Sequence, residues 1–111
     1  NMPMTDTEQA RAKLAEMLEE LLVREAHLAR DMDAPPSADS EDRASEESDD
    51  EALEAQGRLV AAEIASVKRA LVRIEDGTYG ECVRCGGEIA PARLQARPEA
   101  ALCIDCASRE G

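Results

Sequence analysis

The sequence predicts a mainly α fold: an antiparallel two-helix coiled-coil hairpin followed by a small C-terminal module holding four cysteines. Three observations predict it. Apolar residues recur at heptad spacing in two long stretches, separated by a short acidic segment with paired prolines. Large side chains are too few for a broad globular core: twenty of the 111 residues are alanine and Tyr79 is the single aromatic residue, whereas aromatic side chains each bury roughly 150–250 Å². All four cysteines and five of the six glycines lie from residue 77 onward. The expected organisation is a helical hairpin over 1–76, with a tip loop over about 31–47, and a cysteine module over 77–111.

The first helix is expected over about Asp6 to Arg30, on the order of 37 Å at 1.5 Å per residue. Thr5-Asp6-Thr7 offers N-caps, and Glu8 adds charge suited to a first turn. Leu14, Leu18, Leu21 and Leu28 step by four, three and seven, with Glu25 interrupting one a position. Pro35 and Pro36 end the pattern, since proline disfavours helix both at itself and at the residue before it. The sole histidine, His27, reads as a partly exposed residue of this helix.

In the second helix Leu53, Val60, Ile64, Val67, Leu71 and Ile74 step by seven, four, three, four and three. A period of 3.5 predicts a left-handed seam, and the simplest partner is the first helix folded back within one chain. Gly57 occupies an a position and weakens helicity there by about 1 kcal/mol relative to alanine; a close helix approach and a bend both fit it. Asp76-Gly77 supplies the stop, with Gly77 as a left-handed C-cap.

The net charge of −12 is concentrated: residues 31–54 carry eleven acids and one base, residues 1–30 six and four, and residues 55–111 eight of each. Phosphate-neutralising nucleic-acid binders carry the opposite sign, so direct DNA binding is not expected. No run approaches the roughly 18–20 apolar residues of a membrane span, and no signal-peptide pattern opens the chain. The chain reads as cytosolic, where cysteines serve metal ligation more often than disulfides.

Cys82-x-x-Cys85 and Cys103-x-x-Cys106, seventeen residues apart, fit the spacing of a four-cysteine zinc site. Two tight knuckles each present a pair of thiolates, and together they complete a tetrahedral set. Gly86 and Gly87 supply the left-handed backbone such a turn uses. Four sulfur ligands leave no open position for water or substrate, so the expected role is one structural Zn²⁺, and no catalytic residue is expected. Iron suits the same cage, and disulfides or redox pairs are the alternatives to metal.

Residues 69–106 resemble the DksA/TraR family of C4-type zinc-finger transcription factors. The resemblance rests on Ile74-Glu75-Asp76-Gly77, Tyr79-Gly80-x-Cys82, Cys85-Gly86, Glu88-Ile89, Arg93-Leu94, Ala96-Arg97-Pro98 and Cys103-Ile104-Asp105-Cys106. Asp39-Ser40-Glu41-Asp42-Arg43-Ala44 fits the D-x-x-D-x-A motif of the family's coiled-coil tip, where heptad spacing places the turn. The resemblance implies a bacterial transcription regulator that binds RNA polymerase and inserts the hairpin into its secondary channel. Asp39 and Asp42 would then offer carboxylates to polar or basic groups near the active centre, while Ala44 keeps the tip slim.

Two departures bear on this reading. Only five residues follow Cys106, so the last helix is expected to be very short. Positions where better-known members carry basic residues for guanosine tetraphosphate are here Leu59, Glu63, Ser66 and Ala107, with Arg97 retained. A response to that nucleotide is therefore not expected, and Arg97 stays as a candidate polymerase or nucleotide contact. Arg84, Arg93, Arg97 and Arg109 are expected to form a basic patch facing acidic polymerase surface. Two other functions fit the same residues, a zinc-stabilised coiled-coil module for another protein partner and a redox- or zinc-responsive switch.

Overall fold

A computed structural model describes the backbone of residues 4–33 and 43–110, and the side chains of residues 6–30 and 50–110. The fold is mainly α, with α1 (Met4–Asp33), α2 (Arg43–Asp76), α3 (Pro91–Ala96) and α4 (Ile104–Glu110). Among the described residues the only extended pairing is one antiparallel bridge, Glu81 to Glu88. No described helix is long and apolar enough to cross a membrane.

Both long helices exceed their expected bounds. Residues 31–33 belong to α1 and residues 43–47 to α2, so the segment 31–47, expected as a loop, is helical at both its ends. Ala44, Glu46 and Glu47 favour helix intrinsically, and carboxylates near a helix N-terminus offset its partial positive charge. The described part of α1 ends at Asp33, two positions ahead of Pro35. Arg30 and Arg73 lie in the last turns of α1 and α2, where cations suit the helix dipole.

Heptad residues supply the buried seam. Leu14, Leu21 and Leu28 of α1 and Val60, Ile64, Val67 and Ile74 of α2 are buried, as is Ala70, which the heptad count passed over. Leu18, Leu53 and Leu71 are half-buried, and Glu25 is exposed.

The chain clusters into two compact units, Asn1–Leu18 with Ala65–Gly111, and Glu19–Ile64. The division cuts through both long helices. Its cause is visible in the first unit, where the helix ends are tied to each other and to the cysteine-bearing segment. Arg11 pairs with Glu75 at 3.1 Å, which sets early α1 against late α2. The Lys13 ammonium donates to the Gln95 carbonyl at 2.8 Å, and Arg73 donates to the Ala100 carbonyl at 3.4 Å. Among the described residues Leu14 and Val67 are the largest fully buried side chains, and truncating such a leucine costs about 2–5 kcal/mol.

Among the described residues of Glu19–Ile64, Leu21, Leu28, Val60 and Ile64 are buried. An added Cβ at Gly57 meets nothing within 4 Å, so this glycine serves no close helix approach, and α2 runs through it unbroken. His27 is exposed, its Nδ1 3.1 Å from the Arg30 guanidinium.

Candidate metal centre

The cysteine module begins where α2 is terminated. Gly77 takes φ +80°, the Gly77 amide donates to the Ile74 carbonyl at 3.2 Å, and the Thr78 amide donates to the Arg73 carbonyl at 2.9 Å. These two bonds form a Schellman cap, which needs a left-handed residue at the position of Gly77. The chain then enters the module through Tyr79, buried, whose hydroxyl donates to the Pro98 carbonyl at 2.9 Å. That bond joins the start of the module to its middle, nineteen residues away.

The first knuckle is held by backbone bonds. The Ile89 amide donates to the Gly80 carbonyl at 2.8 Å, the Cys82 amide to the Gly87 carbonyl at 2.7 Å, and the Gly86 amide to the Cys82 carbonyl at 2.9 Å. Gly86 is left-handed at φ +77°, as expected. Gly87 is not: it has no positive φ, and its amide instead points at the Cys85 sulfur at 3.4 Å. The second knuckle is the start of α4, with Cys103 just ahead of the helix and Cys106 in its first turn, closed by the Ala107 amide on the Cys103 carbonyl at 2.9 Å.

Two bonds bring the knuckles together. The Val83 amide donates to the Ala101 carbonyl at 2.9 Å, and the Arg93 Nε donates to the Leu102 carbonyl at 2.9 Å, next to Cys103. Arg93 rides on α3, a helix the cysteine pattern did not reveal. Its signal was Pro91 followed by Ala-Arg-Leu-Gln-Ala, a proline at the first helical position ahead of helix formers. Leu94 of α3 is buried, which fixes the helix to the module.

As a result the four sulfurs of Cys82, Cys85, Cys103 and Cys106 all lie within 4.8 Å of one another, and Cys85 and Cys103 sulfurs are 3.8 Å apart. A tetrahedron with zinc–sulfur bonds of about 2.3 Å has edges of about 3.8 Å. All four thiols are free, so the cluster is a donor set and not a pair of disulfides. Its sulfurs are electrostatically unequal. Amide hydrogens of Cys85 and Cys103 directed at Cys82 pull its thiol down to about 6. Hydrogen bonding with Cys103, followed by burial, pushes Cys106 up to about 12. A bound dication favours the thiolate form throughout such a set.

The other expected site residues fall elsewhere. Asp39 and Asp42 lie outside the described residues; Ala44 lies in the first turn of α2, its side chain outside those described. Arg97 is exposed and caps α3 with its backbone amide on the Arg93 carbonyl at 2.7 Å. Of the expected basic patch, Arg84 is exposed but ion-paired with Glu110, half-buried Arg93 donates to the Leu102 carbonyl, and Arg97 and Arg109 are exposed.

Comparison with known proteins agrees with this geometry. Residues 77–110 match the prokaryotic dksA/traR C4-type zinc finger, and residues 11–74 match the DnaK suppressor protein-like N-terminal domain. An RNA polymerase-binding transcription factor DksA from Caulobacter vibrioides is 39% identical over 95 residues, covering 85% of this chain and 65% of that protein. Its namesake from Escherichia coli is 49% identical over 43 residues, covering 39% of this chain and 28% of that protein. The chain thus spans less than two thirds of the length of either relative. Among solved structures, transcription factor DksA2 from Pseudomonas aeruginosa aligns over 96% of this chain and 84% of its own, with a TM-score of 0.82 at 28% identity. The DnaK suppressor protein from Agrobacterium tumefaciens aligns over 92% and 91%, with a TM-score of 0.65 at 38% identity. The zinc-finger match and the clustered cysteines together indicate zinc binding. With its helices and its cysteine module both matched, the chain belongs to the DksA/TraR family.

Proposed function

We propose that this chain is a non-enzymatic transcription regulator that binds bacterial RNA polymerase and inserts its coiled-coil tip into the secondary channel to modulate initiation. The observation that carries the reading is the family match running through both helices into the zinc finger, with Asp39 and Asp42 of the D-x-x-D-x-A motif falling in sequence between α1 and α2 and Ala44 in the first turn of α2. Asp39 and Asp42 are the tip carboxylates that meet the polymerase, and Ala44 keeps the tip narrow. Arg97, exposed at the end of α3, is a polymerase contact.

Cys82, Cys85, Cys103 and Cys106 hold one Zn²⁺, which supplies cross-linking and no chemistry, since four sulfurs fill its coordination. Around that ion, backbone amides orient the thiolates and Arg93 and Tyr79 hold the loops that carry them. The protein acts as a cytoplasmic monomer without contacting DNA directly. Leu59, Glu63, Ser66 and Ala107 offer guanosine tetraphosphate no cation, so a response to that nucleotide is not expected, although Arg97 is retained.

The test is capture of purified bacterial RNA polymerase by the zinc-loaded protein, with a photo-crosslinker at position 42. A crosslink inside the secondary channel, and loss of regulation in Asp39→Asn/Asp42→Asn with zinc content unchanged, is the expected result. Polymerase binding with a crosslink elsewhere would discard the tip mechanism, and no binding at all would discard the partner.

A further inference from the structure

We propose that the ion pair between Arg84 and Glu110 is a clasp on the metal centre, which holds the exposed tip of the first knuckle to α4 and so slows loss of the bound ion. This role rests on the proposed reading of Cys82, Cys85, Cys103 and Cys106 as the ligands of one Zn²⁺. Arg84 stands between the two cysteines of the first knuckle. Glu110 lies four residues beyond Cys106 on α4, one turn away on the same side of the helix. The pair therefore joins the two halves of the donor set from outside.

Burial anchors neither partner. In the first knuckle Val83 is 63% exposed, and Arg84, Cys85, Gly86 and Gly87 are exposed with it. In α4 the ligand Cys106 is the one buried residue, and Ile104 is 61% exposed. No apolar contact offsets the entropy of fixing the knuckle tip, so its polar ties decide how firmly it stays in place. The bonds between Cys82 and Gly86 and between Cys82 and Gly87 shape the knuckle but close within it. Apart from contacts of the sulfurs, two ties among the described residues lead from 83–87 to the second half of the site. The Val83 amide reaches the Ala101 carbonyl at 2.9 Å, ahead of Cys103, and the Arg84 guanidinium reaches the Glu110 carboxylate. Only the second holds α4.

Loss of an ion from four sulfurs begins with one thiolate giving way to an incoming ligand. Cys82 and Cys106 are buried and Cys103 is half-buried, so exposed Cys85 is the sulfur that a competing chelator meets first. Arg84 is its neighbour in the chain. Tied to α4, Arg84 keeps Cys85 from swinging outward, and Glu110 keeps the turn carrying Cys106 against it. The two side chains are 53% and 51% exposed, so salt screens the clasp while leaving the backbone bonds of the knuckle intact. Arg84 acting by charge alone is a different role. Four thiolates around Zn²⁺ carry a net negative charge, which a guanidinium would favour and a carboxylate would oppose. Removing Glu110 then has opposite effects under the two roles: it frees the knuckle tip under the first and strengthens the cluster under the second.

The test is the rate of zinc release from the intact zinc-loaded protein to the chromogenic chelator pyridylazoresorcinol, with zinc per chain measured beforehand. Arg84→Gln and Glu110→Gln are each expected to hold one zinc and to release it about threefold faster than the parent, within the range open to an exposed pair. The double variant should be no faster than either single one, since the two residues form one contact. Arg84→Lys, which keeps a cation for Glu110, should retain most of the parent's slow release. Raising salt from about 0.05 M to about 1 M should quicken release from the parent and leave both glutamine variants unchanged. Unaltered release in both variants would overturn the clasp, as would salt acting equally on parent and variants. Faster release in Arg84→Gln with slower release in Glu110→Gln would overturn it in favour of charge alone. A chain that binds no zinc would overturn the zinc reading and the clasp together, whereas full loading with unaltered release overturns the clasp only.

Discussion

Cys85 and Cys103 are eighteen positions apart in sequence, yet their sulfurs stand 3.8 Å from each other, the edge of a thiolate tetrahedron. One knuckle is a glycine-bearing turn and the other is the first turn of a helix, so nothing local makes them meet. Val83 on Ala101 and Arg93 on Leu102 draw the two segments together. The protein should therefore bind one zinc per chain, measurable by elemental analysis, and chelation should unfold residues 77–110 first. Cys85→Ser or Cys103→Ser should weaken metal binding by more than about 100-fold, the upper end of what loss of an outer partner costs.

Tyr79 gives a pH prediction with a definite sign. Burial raises its pKa above the ordinary 10.0, against a smaller downward pull from Arg73. A group whose folded pKa is raised adds stability that is fully present below its unfolded pKa and is lost as pH climbs through the folded one. Tyrosinate absorbance in the folded protein should thus rise with a midpoint above 10, and denaturant stability should fall across the same alkaline range. With no other aromatic residue present the titration has a single source. Tyr79→Phe should cost about 1–3 kcal/mol, because the Pro98 carbonyl loses its donor.

How much of this was legible in the sequence depended on whether a feature repeats locally or closes over distance. Heptad spacing gave the seam from Leu14 to Ile74, and paired C-x-x-C spacing gave the cysteine cluster, because both are periodic or short-range. Gly77 as a helix stop was legible for the same reason. The Lys13 bond to Gln95, which spans eighty-two positions, and the Tyr79 bond to Pro98 leave no pattern in the chain. The helical stretch from Arg43 was hidden by its acids and serines, which read as loop by composition but suit a helix N-terminus. Arg93 and Arg84 looked like unpaired cations because sequence does not tell which arginines already hold partners within the chain.

Two glycines should respond to the same substitution with opposite sign. Gly57 lies in a helix interior and an added Cβ there meets nothing, so Gly57→Ala should stabilise the protein by about 0.5–1 kcal/mol. Gly77 has equal room but a φ of +80°, so Gly77→Ala should destabilise by about 1–2 kcal/mol through backbone strain alone. Urea denaturation of both variants at fixed zinc checks the pair. A stabilised Gly77→Ala would mean that the cap at the end of α2 tolerates rearrangement.

Arginine replacements should separate surface pairing from internal support. Arg11 and Glu75 are both at least half exposed, at 50% and 73% of the side chain, and such pairs contribute about 0.2–1 kcal/mol, screened further by salt. Arg11→Ala should therefore lower stability by less than about 1 kcal/mol, with the difference shrinking in high salt. Arg93 is half-buried and its Nε donates to the Leu102 carbonyl beside Cys103. Losing a charged donor to a partly buried carbonyl costs about 1.5–3 kcal/mol, independently of salt. Arg93→Ala should also quicken zinc release to a competing chelator, since the carbonyl it holds orients the second knuckle. Equal zinc release from the two variants would place the support of that knuckle in its backbone bonds alone.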